Sequence, residues 1–133
     1  MKRRQFLLWT MAGLASLPSL SWGRSAPILN LTTPLTNTSE KTTLETVRNA
    51  IVRAGQVKGW TIVDESDGKV TLKHVKGRHV AACDVTFDTK QFSIAINPMT
   101  TLLKGPDSVH PKYNQWIRNL NKQILFEFNF LSR

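Results

Sequence analysis

From Thr42 onward the chain switches between two hydrophobic rhythms, and the switches mark its elements. Leu44, Val47, Ile51 and Ala54 recur at three- and four-residue intervals, with Val57 extending the stripe. That spacing predicts an amphipathic helix. Ahead of it, Thr42-Thr43-Leu44-Glu45 has the form of a capping box, in which Thr42 accepts from the Glu45 amide and the carboxylate reaches back. Gly59 suits a left-handed cap that releases Trp60 directly into a strand. The rhythm then falls to two. Residues 60–65, 69–75, 78–87 and 91–97 read as strands, separated by Ser66-Asp67-Gly68, Lys76-Gly77 and Asp88-Thr89-Lys90. Connections this short force antiparallel neighbours, hence a meander. Alternation assigns Val70, Leu72, Cys83, Val85, Phe92 and Ile94 to the buried face.

Helical spacing resumes at Pro111, a residue suited to a first turn because its missing amide has no partner to lose there. Tyr113, Trp116, Ile117, Leu120 and Ile124 predict a helix over 111–125 with an aromatic core face. The tail supports two readings: Phe126, Phe128 and Phe130 alternate as in a strand, whereas Leu125, Phe128 and Leu131 would prolong the helix. The expected fold is α+β: a helix, a four-stranded antiparallel meander and a helix, in a two-layer sandwich with both helices on one face. The opposite sheet face, with Thr61, Thr71, Lys73, Asp84, Thr86 and Ser93, is mixed in polarity and leaves room for a homodimer.

Residues 1–23 stand apart from this pattern. Lys2, Arg3 and Arg4 precede an apolar stretch from Phe6 to Leu20, and Ser21-Trp22-Gly23 ends on small residues, as an export signal peptide does. Arg3-Arg4-Gln5-Phe6-Leu7 is twin-arginine-like, although the flanking polar residues of that signal are missing, so general secretion stays open as the route. The expected location is the bacterial periplasm or the medium, with membrane contact only if the signal is retained. Residues 24–41, rich in Thr, Ser, Asn and Pro, read as a flexible lead-in, and 42–133 as a single domain. Removing the signal takes Lys plus Arg from 18 to 15 against 9 acidic residues, and the net charge from +9 to +6. A basic excess favours an anionic surface or an envelope protein as partner. The basic residues are scattered, with no run of four, which argues against nucleic acid.

Val109-His110-Pro111-Lys112-Tyr113-Asn114-Gln115-Trp116-Ile117-Arg118-Asn119-Leu120 is similar to a segment of a family of small exported or lipid-anchored bacterial proteins, which show His, Tyr-Asn-x-Trp and Asn-Leu at this spacing. Ala50-Ile51-Val52-Arg53-Ala54-Gly55, with Gly59-Trp60 after it, resembles their first helix, so the resemblance spans residues 47–124. It implies no activity. The chain departs from it in lacking a lipid-attachment cysteine.

Candidate chemistry is sparse. With Lys76-Gly77 as a two-residue turn, His74 faces His79 at about 5 Å between Cβ atoms. Both then share the face of Cys83, the sole cysteine, and such a trio has the donors of a zinc or copper site. A buried structural thiol beside two strand histidines is the competing reading. His110 is placed to cap the second helix or stack on Tyr113 and Trp116. Asn114 is placed to bond the loop backbone between Lys104 and Ser108. His110, Asn114 and Lys104 are therefore the candidate binding residues. No phosphate loop, serine elbow or zinc-protease helix is present in the sequence. The expectation is a non-enzymatic exported binding or accessory protein without a cofactor. The alternative is a metal-handling or enzyme-accessory protein using His74, His79 and Cys83.

Overall fold

The computed structural model describes residues 25–132. Those residues form eight strands and two helices, an α+β fold with antiparallel sheets. The meander comprises β3 (Thr61–Ser66), β4 (Lys69–Lys76), β5 (His79–Phe87) and β6 (Gln91–Ile96). These strands are neighbours in chain order, and their ends fall within one residue of those predicted from alternation. β3 is an edge, fully exposed except at Ile62, and a bulge between Ile62 and Asp64 breaks its ladder. A bulge at an edge makes a poor template for further pairing.

The first helix, α1 (Leu44–Val57), starts one residue later than expected. Thr43, not Thr42, is the cap: its Oγ1 accepts from the Thr46 amide at 3.2 Å, while the Thr42 hydroxyl accepts from the Ser39 amide at 2.9 Å. The stripe is shorter than predicted as well. Val47, Ala50, Ile51 and Ala54 are buried, and Leu44 and Val57 at the two ends are exposed.

The second helix, α2 (Pro111–Leu131), absorbs the whole Phe-rich tail. Phe128 decides between the two readings of that tail. It is fully buried, on the helical stripe with Ile117, Leu120 and Ile124, while Phe126 and Phe130 are 62% and 53% exposed. A strand would put all three rings on one side. The helices pack against each other, and α1 also packs on β3, β4 and β5. A salt bridge ties them: Arg53 Nε lies 3.0 Å from Glu127 Oε1.

Residues 24–41, expected as a flexible lead-in, carry two strands over their described part. β1 (Ala26–Pro27) joins β7 (Leu103–Gly105) and β8 (Ser108–Val109) in a three-stranded sheet of order β1-β8-β7. β2 (Leu31–Pro34) adds a fifth strand to the main sheet, giving the order β2-β6-β5-β4-β3. The physical reason is a polar seam on α2. Asn114 Oδ1 accepts from the Leu29 amide at 3.0 Å and its Nδ2 donates to the Pro27 carbonyl at 2.9 Å. Asn121 accepts from the Thr33 hydroxyl and Asn129 from the Thr36 hydroxyl, each at 3.0 Å. Three asparagines seven and eight residues apart return to one side of the helix every two turns.

The core lies between the sheet and the helix pair, with Val70, Leu72, Cys83, Val85, Phe92 and Ile94 from the strands meeting Ile51, Tyr113, Ile117 and Phe128. The opposite sheet face is less open than its composition suggests. Ala82 and Thr71 are buried there, and the Asp84 carboxylate accepts from Thr71 Oγ1 at 2.6 Å and from Asn97 Nδ2 at 3.2 Å.

Candidate functional site

The Gly59–Trp60 junction, the β4–β5 hairpin and the start of α2, far apart in sequence, meet at one end of the sandwich. The β4–β5 hairpin turns through Gly77 and Arg78, with Gly77 at φ 62°, so that Lys76 pairs with His79. Glycine at the first of two loop positions is what a type II′ hairpin turn takes. On the same sheet face, two residues before Lys76, the His74 ring sits between two indoles. Its centroid is 5.4 Å from that of Trp60 and 4.7 Å from that of Trp116, the latter edge-on. His74 Nδ1 lies 3.0 Å from the Gly59 carbonyl oxygen. Gly59 has φ 86°, and a Cβ there would stand 3.1 Å from His74 Cε1. Both the left-handed cap and the close imidazole therefore require glycine.

The third segment is the start of α2. His110 is its N-cap, and Nδ1 accepts from the Lys112 amide at 3.1 Å, so that nitrogen carries no hydrogen. Trp116 stands one turn beyond Lys112, on the same helix side. Trp116 is half-buried and packs against the core from outside it.

Between these segments lies a cleft of about 200 Å³ lined by Lys76, His79, Leu102, His110, Lys112 and Trp116. Trp116 also borders a notch of about 40 Å³ lined by Lys58, Trp60, His74 and Asn119. No carboxylate lines either one. Leu102 and the indole supply an apolar wall, and lysines and imidazoles supply the polar rim. A wider groove of about 520 Å³ at the opposite end is different in kind. Glu45 and Asp67 line it, and its Arg48 is already paired with Glu65 at 3.1 Å. A third groove, of about 350 Å³, has Lys41 among hydroxyl groups and also lacks a carboxylate, but it holds one lysine where the hairpin cleft holds two lysines and two imidazoles.

Of the residues singled out in the sequence, His110 and His79 line the cleft and His74 the notch. Asn114 lines neither: it is buried and holds the chain at Pro27 and Leu29, not the 104–108 loop. Lys104 is exposed on β7, outside the lining. His74 pairs with Ala81 and His79 with Lys76, so the two histidines are diagonal neighbours, not opposite ones. The one-residue shift follows from a turn at Gly77-Arg78 where Lys76-Gly77 was expected. Cys83 faces Leu72 inside the core. Its thiol is pushed well above the ordinary cysteine range, first by burial and then by the Asp84 carboxylate, so a thiolate ligand or nucleophile is disfavoured. Among the described residues no three His, Cys, Asp or Glu side chains come close enough to hold a metal ion.

Lys76, Lys112 and Trp116 are site residues that the sequence pattern did not single out. The available signal was the Lys112-x-x-x-Trp116 spacing, which was absorbed into the apolar stripe. No protein-family model, curated protein or solved structure matches the chain.

Proposed function

We propose that the protein is an exported, non-enzymatic binding protein of the bacterial envelope or periplasm, and that the cleft between the β4–β5 hairpin and α2 takes its anionic ligand. One observation carries this reading. The polar rim of the cleft, formed by Lys76, His79, His110 and Lys112, contains no carboxylate, although the chain has nine acidic residues to place. Lys76 and Lys112 bring two positive charges to a lining that offers no negative one, and an anion placed between them is attracted by both. The apolar wall of Leu102 and Trp116 gives such a ligand a surface to rest on. Export rests on the signal-like residues 1–23. Among the described residues no helix is long and apolar enough to cross a membrane.

The test is a two-dimensional NMR titration of the chain with a panel of small anions covering carboxylates, sulfate esters and phosphate esters. The expected result is saturable shifts at Lys76, His79, Lys112 and the Trp116 indole, with the groove at Glu45 and Asp67 unmoved. Absence of cleft shifts with every class of anion would refute it.

A further inference from the structure

We infer that the cleft recognises the phosphate group of a small phosphate ester, with the organic part lying against Trp116 and Leu102. This rests on the anion-binding reading above and specifies its ligand. Two features fit a small phosphate ester. The first is the kind of cation. The lining holds lysines and no arginine. Lysine ammoniums bind phosphate as point charges, without imposing the planar two-pronged geometry of a guanidinium. Lys76 from β4, His79 from β5 and Lys112 from α2 approach from three separate elements. Donors arriving from several directions fit the non-coplanar oxygens of a phosphate better than the two coplanar oxygens of a carboxylate.

The second feature is size. About 200 Å³ lies below the roughly 300–1,000 Å³ of pockets that enclose a drug-sized molecule. The cleft thus takes a terminal group and a few attached atoms, and leaves anything larger outside. The same phosphate ester chemistry reaches an envelope protein as a soluble metabolite-sized ester or as a phospholipid headgroup. A glycerol phosphate unit is common to both, and its short carbon chain fits the apolar wall. His74, seated on the Gly59 carbonyl, contacts the indole edge-on and lines the notch but not the cleft, so the ring is held by a residue outside the proposed site.

The experiment uses tryptophan fluorescence and NMR shifts of the chain titrated with glycerol 3-phosphate, inorganic phosphate, glycerol and acetate. Parallel sedimentation uses vesicles of phosphatidylglycerol and of phosphatidylcholine. Lys76→Gln, Lys112→Gln and His79→Gln, all at exposed positions outside the core, report on the cleft. Saturable binding of glycerol 3-phosphate, tighter than inorganic phosphate and weakened about tenfold or more by each lysine variant, supports the proposal and identifies a soluble ester. Phosphatidylglycerol binding that is lost in the same variants, without binding of the soluble ester, supports it with the headgroup as source. If acetate moves the cleft residues and neither ester source does, the phosphate assignment is overturned while an anion site stands. If no anion or vesicle moves them, both readings fall. Binding left unchanged by all three variants overturns the site.

Discussion

Replacing Asn114 with alanine tests whether the first described strands belong to the folded domain or merely rest on it. The side chain, 7% exposed, makes two hydrogen bonds to backbone 85 and 87 residues earlier: one from the Leu29 amide, one to the Pro27 carbonyl. Each contributes about 1 kcal/mol net. The larger cost comes from what is left behind. Leu29 is packed partly buried against the core, so its orphaned N–H loses a further 1–3 kcal/mol or so where water cannot replace the acceptor. The expected destabilisation is about 3–5 kcal/mol. Asn114→Asp separates the two bonds. It keeps the acceptor for Leu29 but points a carboxylate oxygen at the Pro27 carbonyl, so it should be at least as damaging at neutral pH and milder in acid.

Urea denaturation followed by circular dichroism measures the global effect. Hydrogen exchange at the Leu29 amide measures the local one, and both are needed because an edge segment can open while the core stays closed. If Asn114→Ala leaves the urea midpoint and the Leu29 protection unchanged, the seam does not hold the segment. If stability is kept but anion binding is lost, Asn114 is a ligand contact after all.

Three further outcomes follow from the same contacts. Trp116→Ala, removing a half-buried ring, should cost about 1–3 kcal/mol, less than the roughly 3–5 of a fully enclosed aromatic, while weakening ligand binding; a larger loss in a thermal melt would return Trp116 to the core. Glu127 is held below the ordinary glutamate range, chiefly by its hydrogen bond from Arg53, against the opposing effect of burial and with help from Gln123. Its lowered folded value means that the unfolded chain binds more protons. That stability is present above the unfolded glutamate value of about 4.3 and is lost as pH falls through the folded one. Glu127→Gln should flatten this acid slope in melts taken at a series of pH values, and an unchanged slope would remove the pair from the account. Cys83 should resist alkylation in the native protein and label only at the rate of unfolding; native labelling at the rate of a free thiol would contradict its burial.

The meander was legible because its signals are local. Alternation and turn residues lie within each hairpin, so Val70, Leu72, Val85 and Phe92 declared their face without reference to anything distant. β1 and β2 were not legible for the opposite reason. Leu31–Pro34 pairs with residues 91–94, sixty residues away, and the asparagines that secure the segment lie later still. A Thr- and Pro-rich run with remote partners has the same local composition as a loop. The Cys83 thiol could be placed in the core from alternation alone. The His74–His79 register could not, because Lys76-Gly77 and Gly77-Arg78 differ by one residue, glycine suits either turn, and only the Lys76–His79 pairing decides between them. The cleft was the least legible feature. Of its six lining residues only His110 and His79 drew attention as chemistry, since lysines on a basic chain and a tryptophan on an apolar stripe look ordinary until topology brings them together.

That meeting follows from the strand order. In an antiparallel meander alternate turns lie at opposite ends, so the acidic turn at Asp67 and the turn at Asp88 share one end and the hairpin at Gly77-Arg78 occupies the other. α1 runs toward the hairpin end, since its last residues lead through Gly59 into the start of β3, and α2 begins there. Lys58, Lys76, Arg78, His79, His110 and Lys112 thus share an end because each lies at the terminus of an element that reaches it. The first turns of α2 then serve two purposes on two sides. Tyr113 and Ile117 point into the core with no exposure, and Lys112 and Trp116 line the cleft. Residues one apart on a helix diverge by about 100°. Charge at Lys112 can therefore be changed without touching Tyr113, which is what allows the lysine variants to separate binding from folding.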